Sequence, residues 1–197
     1  MTSIFIWGST ALVYALFWFW YVGLKRPLQQ SEIDASFTKM QAVGEPSDEF
    51  LSALRHFFQN DDGRDFAMVN MLELKEPKAE ARQKLAAYQK IFMSSLFKRA
   101  GHPVFIASMA TGKIENIGCD DDNWTVAAMV RYRSRRDLLE MVTETFASDH
   151  HALKIDALQR TFSYPSAPRR IIGGPKVLVP MALLLVACLF QISVLIA

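Results

Sequence analysis

The side chains able to do chemistry in this sequence are few, and most of them stand alone. Asn70 is the lone amide in an apolar run, FAMVNMLEL at 66–74. A buried amide must be hydrogen-bonded, so Asn70 either satisfies backbone at a sheet edge or lines a pocket. Arg131 sits in a second apolar run, WTVAAMVRY at 124–132, on one strand face with Thr125, Ala127 and Met129. If that less bulky face lines a cavity, Arg131 is its cation; otherwise the side chain snorkels to water from a strand end. His102 follows a helix end, where an imidazolium suits the helix dipole or serves in acid–base chemistry. Asp149, His150 and His151 invite a metal reading, but adjacent side chains on a helix diverge by about 100° and do not readily share one ion. Asn70, His102, Arg131 and His150 are therefore the candidate pocket residues, and no catalytic residue is assigned among them.

Motifs of sharper chemistry are missing. The 4 histidines and 2 cysteines form no HxxxH, HxxE or CxxC spacing, so no metal is expected. Cys119 has no evident basic partner and Cys188 lies in an apolar run, which argues against thiol chemistry and a disulfide. The run Asp120 to Asp122 is most simply a solvated turn. There is no Gly-rich phosphate loop and no nucleophile elbow, and no cofactor is expected.

These residues must be positioned by a middle region that reads as an ordinary folded domain. A polar connector occupies roughly 25–46, and the domain follows over 47–168. Ser47 is an N-cap candidate with Asp48 and Glu49 in the first turn, and Phe50, Leu51, Leu54, Phe57 and Phe58 recur at helical spacing. Asn60 to Gly63 stops that helix, and Phe66 to Leu74 is a strand apolar on both faces. Pro77 opens a long helix with Ala81, Leu85, Tyr88, Phe92 and Leu96 on one stripe; Gly101 is its C′ candidate and Pro103 prevents continuation. Val104 to Met109 is a second strand, with a bend at Thr111 and Gly112 before Lys113 to Ile117. Trp124 to Tyr132 is the third. Ser134 and Asp137 start a helix carrying Leu138, Met141, Val142 and Phe146; a second helical piece, His151 to Gln159, leads to a strand near Thr161 to Tyr164.

The ends are a different material. All 22 Lys and Arg and all 20 Asp and Glu lie between Lys25 and Lys176. The uncharged stretches 3–24 and 177–197 each match the ~20 residues that cross a bilayer, which excludes a purely soluble chain and a multi-span transporter. The aromatic cluster Trp18 to Tyr21 suits an interfacial belt. The first stretch lacks the basic start and small-residue cleavage site of a signal peptide, so it reads as a retained anchor. Lys25, Arg26, Arg169, Arg170 and Lys176 flank both spans on one side only. The positive-inside rule then puts the domain in the cytoplasm and both termini outside, at an inner membrane. With those five cations set aside, acidic residues slightly outnumber basic ones, which is no footprint for nucleic acid.

Strand–helix–strand–strand–helix–strand is the order of a split βαβ, ferredoxin-like, α+β domain. Helices cover one face of its sheet. The poor alternation of 66–74 and 124–132 leaves the other face apolar, and a second copy of the same sheet is the simplest cover. The stretch Phe66 to Pro165 resembles the domain of unknown function 1330 family of the dimeric α/β barrel superfamily. The resemblance is carried by VNMLELK at 69–75, Tyr88, AGHPVFIAS at 100–108, NWTVAAMVRYRSRRDLLEMV at 123–142 and DALQRTF at 156–162. Lys154 stands where the family has an Arg in its closing helix. The resemblance implies a dimeric barrel and no settled activity.

The leading functional expectation is a membrane-anchored homodimer that acts as a binding or accessory subunit beside an integral-membrane partner, with Ala11 and Ala15 as a small-residue face for helix contact. A second is a cofactor-independent enzyme, monooxygenase- or isomerase-like, working on a small apolar substrate in the barrel cavity. A third is haem or flavin binding with His102, His150 or His151 as ligand.

Overall fold

The computed structural model describes residues 3–43, 46–118, 123–146, 150–168 and 171–196. Expectations for Cys119, the Asp120 to Asp122 turn, Asp149, Arg169 and Arg170 lie outside the described residues, as do those for the side chains of His150 and His151. The elements in chain order are α1 (Ser3–Val22), α2 (Gln30–Val43), α3 (Asp48–Gln59), β1 (Phe66–Leu74), α4 (Lys78–Lys98), β2 (His102–Ser108), β3 (Val126–Tyr132), α5 (Arg135–Phe146), α6 (His150–Ala157), β4 (Leu158–Ser166) and α7 (Pro175–Ile196). They fall into two units: one holds the terminal helices α1 and α7, the other residues 25–167.

In the first unit α1 and α7 pack on each other, burying Ile6, Tyr21 and Ala187, while most of their apolar side chains stay exposed. Ala11 is among the exposed residues and takes no part in that seam. Both helices are long and apolar enough to cross a membrane by length and composition.

The second unit is a four-stranded antiparallel sheet in the order β2-β3-β1-β4, with helices on one face. Even-numbered residues of β1 and β3, among them Phe66, Leu72, Val130 and Tyr132, enter the helix-side core. Phe66 stacks on Tyr132 with ring centroids 5.1 Å apart, and Leu96 of α4 and Leu138 of α5 close over them. Local signals account for several boundaries. The Ser47 hydroxyl accepts from the Phe50 amide at 3.3 Å at the start of α3. Ser134 and Asp137 form the expected cap of α5, with the Asp137 amide donating to Ser134 Oγ at 3.1 Å and that hydroxyl donating to the Asp137 carboxylate at 2.7 Å.

Four expectations are corrected. The segment 25–46 is no plain connector, because it contains α2, whose Ile33, Phe37 and Met40 are each at most 2% exposed in the core. Only three large apolar residues, at i, i+4 and i+7, form the buried stripe of that helix, too sparse a signal to stand out in a polar segment. The folding unit therefore begins near Lys25 rather than at residue 47. Second, the left-handed residue after α4 is Ala100, with φ +55°, not Gly101. The Gly101 amide bonds to Leu96 O and the Ala100 amide to Phe97 O, the two bonds of a Schellman ending. Gly101 is small for another reason, since a Cβ there would lie 2.4 Å from Leu96 Cδ1 and 3.0 Å from the Arg131 carbonyl. Third, 113–117 forms no strand; Ile114 is fully exposed, so nothing is gained by ordering it on the sheet edge. Fourth, β4 runs on through Pro165 to Ser166, because it pairs with β1 on one side only and an edge strand tolerates a missing amide.

Charged contacts lash α2 to this core. The Arg136 guanidinium of α5 grips Glu32 at 2.6 and 2.9 Å and also donates to Pro27 O at 3.1 Å. The hydrogen bond from Arg136, helped by the Gln29 amide, pulls the Glu32 carboxyl down to about 2. The folded chain thus favours the ionised form, so this clamp is complete above the ordinary value of 4.5 and is lost as pH falls towards 2. The thermal-midpoint advantage of the unmodified protein over Glu32→Gln is expected to shrink through that window. Melts recorded across it by circular dichroism check this, and a pH-independent difference would contradict it.

Candidate functional site

The two faces of the sheet separate the residues that the sequence offered as one pocket. Asn70 points to the helix side, where it lines a recess between the sheet and α4. Its Nδ2 donates to Met68 O at 3.1 Å, and its Oδ1 accepts from Ser163 Oγ of the neighbouring β4 at 2.7 Å. It therefore satisfies the sheet and lines the recess at once.

Arg131 lies one step out of phase with Asn70 and projects to the opposite face. It does not snorkel: it is 1% exposed, which corrects the water-facing reading. Its Nε and Nη2 donate to Asp65 Oδ2 at 3.1 and 2.9 Å, and its Nη1 donates to Ala100 O at 2.8 Å. A cation so enclosed needs these partners, and they come from the turns leading into β1 and β2. His102 pairs opposite Arg131 in the β2–β3 ladder, with its Nδ1 2.9 Å from Pro103 O. It is not among the residues lining the recess.

The recess is small and open to solvent at its mouth. Its floor is Asn70, Leu72, Ala128 and Ile106 of the sheet; its wall is Leu85, Tyr88, Gln89 and Phe92 of α4; Lys154 of α6 closes one side. The space exists because Ala128 is the smallest inward side chain of β3, between Val126 and Val130. Tyr88 stacks on Phe92, with centroids 5.7 Å apart. Burial pushes the Tyr88 phenol up to about 12 and, with Tyr88 itself adding to the effect, pushes Tyr132 higher still. Burial alone pulls the Lys154 ammonium down. Both phenols thus stay protonated donors at neutral pH.

The sequence pattern offers neither Lys154 nor Gln89 as a site residue and sets Tyr88 on the apolar stripe of the long helix. A signal for Lys154 was present: it sits three residues before Ala157, which is fully buried, so it shares the inward side of α6.

With this geometry in view, two solved structures share the fold of the chain. One is a protein of unknown function, RPA0582, from Rhodopseudomonas palustris, at 20% identity and a TM-score of 0.51 over 64% of this chain and 96% of that one. The other is the methylated RPA0582 protein, at 18% identity and a TM-score of 0.52 over 66% and 96%. No protein-family model matches the chain, and no curated protein matches it. At such identity the likeness is one of fold alone.

The contrast between Asn70 and Arg131 predicts opposite costs to those expected for a snorkelling Arg. Arg131→Ala removes every donor to Asp65 from β3 and should cost roughly 3 kcal/mol, the low end for a buried pair because Asp65 is 29% exposed. Asn70→Ala should cost only about 1 kcal/mol, since Ser163 can turn to water. Chemical denaturation of both variants checks the order.

Proposed function

We propose that the chain is a membrane-anchored homodimeric binding module of ferredoxin-like fold, akin to the domain of unknown function 1330 family, serving as an accessory subunit in an inner-membrane assembly. The observation that carries this reading is the sheet face turned away from the helices. Phe105 is 44%, Phe162 37% and Tyr164 64% exposed there, with Val69, Met71, Ala127 and Met129 between them. Trp124 adds an edge-to-face contact on Phe162 at 5.0 Å. An apolar sheet of this breadth is costly in water, and a twofold copy covers it with matching chemistry. About 800 Å² per partner is an ordinary size for such a contact.

The apolar helices α1 and α7 support the anchor, and the cations at Lys25, Arg26 and Lys176 support a cytoplasmic domain with both termini outside. The recess supports the enzymatic alternative to this extent: a small apolar substrate has a place to sit beside Lys154 and two phenols. Haem or flavin ligation gains nothing from His102, which lies away from that recess.

In mild non-ionic detergent the full chain should have the mass of a dimer by native mass spectrometry. Val69→Asp sets a charge in the face and should give a folded monomer. A monomeric parent chain would overturn the pairing. For orientation, an alkaline phosphatase fusion after residue 197 should be active and one inserted between 111 and 118 inactive. The reverse pattern would overturn the topology.

A further inference from the structure

The recess beside α4 holds an imbalance of charge that its own walls do not correct. Among the residues lining it, Lys154 is the one ion, and no Asp or Glu joins it. Among the described residues, the Lys154 ammonium makes no hydrogen bond or ion pair, and burial is the influence that lowers its pKa. The remaining polar groups are the phenols of Tyr88 and Tyr132, both held protonated, and the amides of Asn70 and Gln89. Asn70 already spends its carbonyl on Ser163 and one amide hydrogen on Met68. Donors thus face the space in excess, and the half-buried Lys154, set beside Leu72, Leu85 and Phe92, brings a partly dehydrated charge that no lining carboxylate balances.

We propose that this recess is a binding site for a small apolar carboxylic acid, whose carboxylate pairs with Lys154 and accepts from Tyr88 and Tyr132 while its hydrocarbon or aromatic body lies against Leu85 and Phe92. A strongly hydrated anion such as phosphate meets the charge but not the apolar walls. A neutral compound meets the walls but leaves the ammonium unpaired. The space suits a body of one ring or a short chain rather than a large ligand. The inference deepens the binding-module reading and depends on neither the anchor nor the pairing.

The test is calorimetric titration of the full chain in lipid nanodiscs with benzoate and hexanoate, beside benzamide, hexanamide and inorganic phosphate. At least one acid should saturate the protein, with its amide and phosphate weaker by on the order of tenfold or more, the worth of one charge-assisted hydrogen bond. Lys154→Met keeps the length of the side chain and should weaken the acid by a similar factor while leaving the amide unchanged. Because Lys154 makes no ion pair among the described residues, that variant should melt no lower than the parent. Tyr88→Phe should weaken the acid by a smaller factor. Equal affinity of acid and amide, undiminished acid binding by Lys154→Met, or no saturation by either acid in the millimolar range would overturn the site. Loss of acid binding in a dimeric Lys154→Met chain, beside retained binding in a monomeric Val69→Asp chain, would separate this inference from the pairing.

Discussion

The guanidinium of Arg131 ties together three stretches of chain that the β1–β3 and β2–β3 ladders bring side by side. It reaches from β3 to Asp65 before β1 and to the Ala100 carbonyl in the turn between α4 and β2. Around it the packing leaves little freedom: Gly101 presses on the Arg131 carbonyl and on Leu96 so closely that no Cβ fits. A charge buried to 1% exposure is a poor source of net stability, because losing its hydration offsets most of what the ion pair returns. Its value here is geometric. Any slip of β3 against β1 or β2 would strand the cation without these acceptors, so the pair disfavours other registers.

That register gives the sheet two different surfaces. One residue of shift along a strand reverses a side chain, so the same ladder that turns Asn70 and Ala128 towards α4 turns Val69, Ala127 and Met129 away from it. The covered face holds the packed core at one end, around Phe66 and Tyr132, and the recess in the middle, where Ala128 is too small to meet α4. The far face carries aromatic rings that touch one another yet remain open to solvent. The recess and the apolar far face are thus two separate surfaces, on opposite sides of one sheet.

The helices are fastened to one another by a further layer of arginines. Arg136 holds Glu32 of α2, Arg99 of α4 bonds Glu140 and Glu144 of α5, and Arg135 lies over the Phe57 ring at 4.4 Å while donating to Phe57 O. Most of these heads are partly exposed, where single ion pairs add little. Their effect is to choose which polar neighbours α2 and α5 keep, after Phe37 and Leu139 have supplied the burial.

Sequence pattern alone determined the uncharged ends, the order of the strands and of every helix but α2, and most boundaries, because these rest on local quantities: charge counts, helical spacing, and caps such as Ser47 and Ser134. It also placed Asn70 and Arg131 correctly in strands. It could not decide which polar side chains converge, since Lys154 and Asn70 are 84 positions apart and meet only when α6 is laid beside the sheet. Nor could it tell that Arg131 has partners, because Asp65 and Ala100 come to it through the folding of two separate turns. The helix α2 was hidden for a related reason: three apolar side chains in a polar segment are a weak local signal and become decisive only when a core exists to receive them. Local rules act over a few residues, whereas burial and pairing are properties of what the folded chain brings together.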